Sequence, residues 1–157
     1  MLLAALDDTP YKILVILHIL SAMAAFSAMF TQPFLVEQSK QLDSAERQKL
    51  FGFMVQNGRR VYAPALLVTG LLGFGLAGMS GTPPTGDLFY SMSDTWLVIA
   101  FVCWIAMNGV LHGVITPAEK AMAAGDQSAE GRISAGGGAI SILLVVMLWL
   151  MIFKPFL

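Results

Sequence analysis

The sequence predicts an all-α protein, a four-helix transmembrane bundle with up-down-up-down topology. Of its 157 residues, 57% are hydrophobic and only 12% are charged, about half of the charged fraction that is usual in soluble domains. Four stretches lack Asp, Glu, Lys and Arg, and each is long enough to cross a hydrocarbon core of about 30 Å as a helix. These stretches are Ile13–Val36, Val61–Gly86, Thr95–Ala118 and Ile133–Phe153.

We place the spans near residues 11–35, 61–79, 95–116 and 134–153 of a single domain that comprises residues 1–157. The first span follows Thr9-Pro10, an N-cap residue with proline at the first helical position. The second span is expected to end near Gly78, before a loop rich in Gly and Pro. Asp7-Asp8 stands where a signal peptide would carry basic residues, so the first stretch is interpreted as a retained helix.

The basic residues predict the orientation of the bundle. Seven Lys and Arg side chains lie between spans one and two or between spans three and four, and two lie on the other side. Because cytoplasmic loops carry the excess of Lys and Arg, both termini are expected on the non-cytoplasmic side of the inner or plasma membrane of a bacterium. The seven are Lys40, Arg47, Lys49, Arg59, Arg60, Lys120 and Arg132, and the two are Lys12 and Lys154.

The first cytoplasmic loop is predicted to contain a short amphipathic helix. Asp43-Ser-Ala-Glu46 has the spacing of a capping box, and apolar residues follow it at Leu50, Phe51, Phe53 and Met54. We expect this helix to lie at the inner membrane surface and the chain to turn at Asn57-Gly58.

Small residues recur along each span and are expected to let the helices pack closely. The same stripes are candidate contacts with a second copy or another membrane protein, besides the lipid bilayer. The net charge of −1 offers no surface for nucleic acid. The stripes comprise Ser21, Ala22, Ala25 and Ala28; Thr69, Gly70, Gly73 and Ala77; the GxxxG pair Gly109 and Gly113; and Ser134, Gly137, Gly138 and Ser141.

Both histidines fall inside predicted spans, where ionisable groups are costly and often functional. His18 precedes Ser21 by one helical turn, and His112 shares a face with Asn108 and Thr116, so we expect neither histidine to face lipid. His18 lies eight residues after Pro10, whereas His112 lies eighteen after Asp94. Ten residues of helix correspond to about 15 Å of depth, which disfavours one haem held between both imidazoles.

The antiparallel course of the helices predicts two polar clusters. The outer cluster comprises His18, Lys154 and Met151. The inner cluster comprises His112, Asn108, Arg59 and Arg60. Two interpretations stay open for each histidine: it binds haem or a metal, with His18 the candidate metal ligand, or it forms an interhelical hydrogen bond. For the basic residues the alternative is that they extend to lipid headgroups.

Several short motifs occur in an order that resembles a known group of membrane proteins. They are Tyr11-Lys12, Leu17-His18-Ile19, Arg59-Arg60-Val61-Tyr62 with Pro64, His112-Gly113 and Lys154-Pro155-Phe156. The chain resembles the HemJ protoporphyrinogen oxidases and the CopD-like copper-resistance proteins, and is most similar to uncharacterised relatives of both. The resemblance implies that His18 and Lys154 take part in haem binding. This chain differs from HemJ-like sequences at three places. It has Ala24-Ala25-Phe26, Pro33-Phe34 and Gln38 where HemJ-like sequences usually have Trp-Gly, Pro-Arg and a histidine.

Three functions are compatible with these observations. The first is a redox-related membrane protein that binds haem b or copper. The second is a non-catalytic accessory or assembly subunit of a membrane complex, and the third is a small copper or solute permease. The sequence contains no acid–base pair, nucleophile constellation, phosphate loop or cysteine metal motif, so it assigns no catalytic residue.

Overall fold

A computed structural model describes residues 9–80 and 90–155, except for the side chain of Met29. These residues form helices joined by short turns, and no strand occurs among them. Two π-helical turns, Gly58–Tyr62 and Leu111–Ile115, and one 3₁₀ turn, Gln127–Ala129, connect some of the α-helices. In chain order these α-helices are α1 (Thr9–Ser39), α2 (Ser44–Asn57), α3 (Ala63–Gly78), α4 (Thr95–Val110), α5 (Thr116–Ala123) and α6 (Glu130–Phe153).

The predicted all-α bundle is confirmed. Within the described ranges, four continuous helical segments are long and apolar enough to cross a membrane: Thr9–Ser39, Ser44–Gly78, Thr95–Ala123 and Gln127–Phe153. These segments are longer than the predicted spans. Most of the additional residues lie at one end of the bundle, the end that contains α2 and α5. That end also carries much of the buried core, including the side chains of Phe51, Met54 and Met122.

The helix predicted in the first loop is present, and its capping box is confirmed. The Asp43 carboxylate accepts from the backbone N–H groups of Ala45 and Glu46, each at 2.8 Å, and the Glu46 side chain reaches back to the N–H of Asp43. The turn expected at Asn57-Gly58 is wrong. Gly58 is helical, with φ −52° and ψ −50°, and α2 runs through the first π turn into α3.

Both π turns precede a proline. The N–H of Ala63 bonds to the carbonyl of Gly58, and the N–H of Thr116 bonds to that of Leu111, five residues back in each case. Pro64 and Pro117 follow immediately. A proline ring clashes with the carbonyl four residues earlier in a regular α-helix, and an extra residue in the preceding turn displaces that carbonyl. We therefore attribute each π turn to the proline that follows it.

Three glycines allow helices to approach closely, and only Gly70 of these belongs to a predicted stripe, since a Cβ on the predicted Gly137 or Gly138 would meet nothing within 4 Å. A Cβ on Gly70 would lie 2.2 Å from the Trp104 indole, one on Gly75 would lie 2.9 Å from Leu14, and one on Gly136 would lie 2.6 Å from Ile115. The GxxxG pair of α4 behaves differently, because a Cβ on Gly109 or Gly113 would meet nothing within 4 Å. The expectation that this pair packs inside the bundle is wrong. The buried face of α4 is formed by Trp96, Ala100, Cys103 and Met107.

Candidate functional site

A cavity of about 330 Å³ lies between α1, α3, α4 and α6, within the usual range for small-molecule sites. We call it the histidine cavity. Most of its wall is apolar, and much of that is aromatic. The aromatic side chains are Tyr11, Phe74, Tyr90, Trp96, Phe101 and Trp104, and the groups that could hold a ligand are His18, Met147, Met151 and Lys154.

The hydrogen bond of His18 fixes its tautomer. Its Nδ1 lies 2.9 Å from the carbonyl oxygen of Thr69. A carbonyl can only accept, so Nδ1 carries a proton, and in the neutral imidazole Nε2 then keeps its lone pair. Nε2 makes no hydrogen bond to any described residue. A ring N–H that donates to a backbone carbonyl is the arrangement that orients histidines which ligate metals.

The backbone of α3 allows the imidazole to lie close. Gly73 has no side chain, and a Cβ there would come within 3.3 Å of His18 Cε1. On the same face, the hydroxyl of Ser21 donates to the carbonyl of His18 at 2.8 Å, and Thr69 Oγ1 lies 3.0 Å from Ser21 Oγ. His18 is therefore held between α1 and α3 by polar groups that leave its Nε2 free.

The aromatic wall opposite consists of rings in mutual contact. The rings of Phe101 and Trp104 stack at 5.8 Å between centroids, and Phe74 meets Phe101 edge-on at 5.1 Å. Trp104 Nε1 donates to the carbonyl of Leu66 at 2.8 Å, which fixes the indole against α3. These rings form an apolar part of the cavity wall that is held in place by ring contacts and by one hydrogen bond.

Lys154 reaches the cavity from the end of α6. Its backbone is left-handed, with φ 42° and ψ 56°, a conformation that non-glycine residues adopt only at a cost. Its ammonium donates to the Tyr90 hydroxyl and lies 4.3 Å from the centroid of that ring. Met151 also lines the cavity, one turn earlier in the chain. The structure thus brings His18, Met151 and Lys154, the predicted outer cluster, around a single cavity.

The donor set of this cavity fits a planar cofactor better than a bare ion. Among the described residues there is no group of three or more His, Cys, Asp or Glu side chains that could hold a metal ion. A haem brings four nitrogen ligands of its own and needs one or two axial ligands from the protein. His18 Nε2 is the candidate for one such ligand, and Met151 and Lys154, which also line the cavity, are the candidates for a second. Lys154 would first have to leave the Tyr90 hydroxyl.

The inner cluster is not assembled in the same way. The side chains of His112, Arg59 and Arg60 are exposed, and none of them lines either of the two cavities described here. Asn108 donates to the carbonyl of Trp104 in its own helix, at 2.9 Å. The expectation that His112 avoids the exposed face is wrong, because the buried face runs through Met107, Leu111 and Ile115 and His112 lies about 100° around the helix from Leu111.

A second cavity, of about 370 Å³, lies at the opposite end of the bundle. We call it the glutamate cavity, because it is lined by Glu119, whose exposed fraction is only 1%. Glu119 Oε1 accepts a hydrogen bond from Gln32 Nε2 at 2.9 Å. Sequence reasoning missed both residues, since Glu119 lies just beyond the third uncharged stretch. The spacing of Glu119 could have indicated its burial. It lies four residues after Ile115 and three before Met122, so it shares a helix face with these two apolar residues, and both are buried.

Comparisons with known proteins give the chain no relative. No protein-family model matches it, and neither does any curated protein or any solved structure.

Proposed function

We propose that this chain is a small multi-pass membrane protein that binds a haem in the histidine cavity through Nε2 of His18. The observation that carries the proposal is the hydrogen bond between His18 Nδ1 and the Thr69 carbonyl. In the neutral imidazole this bond leaves Nε2 unprotonated, and Nε2 has no hydrogen-bond partner among the described residues. The cavity that His18 lines is largely aromatic. A bound haem would supply one-electron redox chemistry.

The resemblance to HemJ and CopD-like proteins supports a role in haem binding for the same residues. It implies a first-helix histidine and a C-terminal Lys-Pro, and His18 and Lys154 are the residues that line the histidine cavity. Copper, the other expected cofactor, would need ligands beyond His18 and Met151. The haem is therefore the cofactor that the donor set favours. The proposal is limited to haem binding and assigns no catalytic residue.

The absorption spectrum of the protein, purified from cells or titrated with haem, tests this proposal. We expect a Soret band that saturates at one haem per chain. His18→Ala should abolish the band or weaken haem binding at least tenfold, because no other described histidine lines the cavity. His112→Ala is the matched control, since it removes the same side chain from an exposed position, and it should leave the spectrum unchanged.

Two results would refute haem binding at His18. One is a protein that stays colourless after haem titration, and the other is an equal loss of the Soret band in both variants. A colourless protein would leave the second candidate, an accessory subunit. That role is favoured by the open face at Gly109 and Gly113, which another helix could approach closely.

We also propose that both termini lie on the non-cytoplasmic side, which places the histidine cavity near that surface. The support is the excess of Lys and Arg in the two loops assigned to the cytoplasm. Single cysteines at Ser44 and Thr85, in a Cys103→Ser background, test the orientation with an impermeant thiol reagent on intact cells. Thr85 lies outside the described residues. Position 85 should react and position 44 should not, and the reverse pattern would overturn the orientation.

A further inference from the structure

Glu119 in the glutamate cavity is buried, and no cationic side chain of the described residues pairs with it. Its side chain is 99% removed from the surface, and its recorded hydrogen bond comes from the neutral amide of Gln32. Oε2 makes no hydrogen bond or ion pair within the described residues. This oxygen lies beside Gly58, at 3.7 Å from where a Cβ would stand. Gly58 and Glu119 both line the cavity.

The basic side chains nearby are engaged by other carboxylates. Lys40 pairs with Glu37 at 2.6 Å and with Glu130 at 3.5 Å. Arg47 pairs with Glu130 at 2.5 Å. Three carboxylates and one ammonium thus line the cavity, and the deepest of the carboxylates is the one left without a cation. A buried anion with no counter-charge is costly, so a bound cation would stabilise this arrangement.

The remaining wall of the glutamate cavity is suited to an apolar body. Between the charged rim and Leu66 the lining is supplied mainly by Ala, Phe, Leu and Ile side chains and by glycines of α6. Its volume of about 370 Å³ is about twice that of an engineered cavity that holds one benzene. Two acceptor oxygens are available at the polar end, Oε2 of Glu119 and the amide oxygen of Gln32.

From these observations we propose that the glutamate cavity binds a primary ammonium attached to an apolar body of about one ring. The ammonium donates to Glu119 Oε2 and to the Gln32 amide oxygen, since it carries three N–H groups and no acceptor. The apolar body lies toward Leu66 and Ile140. This site is separate from the histidine cavity and does not depend on haem binding.

Binding of benzylamine, which is protonated at pH 7, tests the proposal. Benzyl alcohol is the matched neutral probe, because it has nearly the same shape and lacks the charge. Isothermal titration calorimetry on the full chain in lipid nanodiscs, with empty nanodiscs subtracted, gives both affinities. We expect saturable binding of benzylammonium with one site per chain and at least tenfold weaker binding of benzyl alcohol.

Three variants locate the site. Glu119→Gln keeps the shape of the side chain and should weaken benzylammonium binding at least tenfold. Glu37→Gln makes the same change at the exposed rim of the same cavity, where the side chain is 71% exposed, and should change the affinity less than threefold. Gly137→Leu fills the cavity from α6, where a Cβ meets nothing within 4 Å, and should abolish binding with Glu119 intact.

Several outcomes would overturn this inference. Equal affinities for the charged and neutral probes would mean that Glu119 is a neutral carboxylic acid satisfied by Gln32. Equal effects of Glu119→Gln and Glu37→Gln would mean that only the general negative charge of this end attracts the amine. Unchanged benzylammonium binding in Gly137→Leu would mean that the amine binds outside the glutamate cavity. The Gly137→Leu variant therefore still tests the site if Glu119→Gln fails to fold.

Discussion

The histidine cavity and the glutamate cavity are similar in size and opposite in chemistry. The first has a neutral nitrogen lone pair, an ammonium held by Tyr90 and a wall of stacked rings. The second has a buried carboxylate and an amide, with an ion-pair network at its rim. We propose a haem for the first cavity and an ammonium for the second.

The two ends also differ in what maintains their shape. Around the histidine cavity, rigid aromatic rings meet glycine backbone, as where Trp104 lies against Gly70. Around the glutamate cavity, the rim is held by long flexible side chains in ion pairs, which contribute little each when exposed. We therefore expect single substitutions to destabilise the histidine end more strongly than the glutamate rim.

The largest effect is expected for Gly70→Ala. The new methyl would lie 2.2–2.6 Å from three atoms of the Trp104 indole, which cannot retreat without losing its hydrogen bond to Leu66. Overpacking of this kind costs about 1–3 kcal/mol. The free energy of unfolding, measured by titration with a denaturing detergent, checks this. Gly109→Ala is the control at an open glycine and should leave the protein at least as stable as the parent, because alanine is favoured over glycine inside a helix. Equal losses would contradict the packing described here.

A smaller effect is expected for Trp104→Phe. This change keeps an aromatic ring but removes the Nε1–H that donates to Leu66 at 2.8 Å, a loss of about 1 kcal/mol. Trp149→Phe is the control, because Trp149 is 47% exposed and its N–H has no hydrogen bond to a described residue. The same unfolding titration should show a clear loss for position 104 only. If both variants matched the parent, the indole N–H would contribute nothing to the wall.

The smallest effect is expected for Lys40→Ala at the rim of the glutamate cavity. The pair with Glu37 is exposed, with 48% and 71% of the two side chains accessible, so its loss should lower the free energy of unfolding less than Trp104→Phe does. Added salt should shrink the difference from the parent. Lys49→Ala removes an exposed basic residue outside the network and serves as the control. A loss as large as that of Gly70→Ala would reverse the comparison between the two ends.

The sequence predicts the bundle well because hydropathy and helix caps act locally. Uncharged stretches of about 20 residues and the capping box at Asp43 need no tertiary information. The outer cluster was also within reach, since antiparallel helices return Lys154 to the level of His18. The inner cluster could not be predicted in this way. The direction of the His112 side chain depends on which face of α4 and the following π turn is buried. Met107 and Leu111 form that buried face, and Gly109 and Gly113 do not.

Glu119 shows a further limit of hydropathy. A charged residue just past an apolar stretch is ordinarily assigned to the loop, and its burial here results from α2 and α5 extending the bundle beyond the predicted spans. The continuity of α2 with α3 has the same origin. A turn is expected after Asn57-Gly58, yet Gly58 is helical and is buried beside the Glu119 side chain.

Lys154 ends α6 in a conformation that its Cβ makes unfavourable. Its left-handed backbone costs about 1–2 kcal/mol for a residue with a Cβ, and glycine is the residue that usually ends a helix in this way. The contacts of the ammonium with the hydroxyl and the ring of Tyr90 offset part of this cost. Lys154→Gly loses these contacts but relaxes the backbone, whereas Lys154→Ala loses them and keeps the strain. The alanine variant is therefore expected to be the less stable of the two.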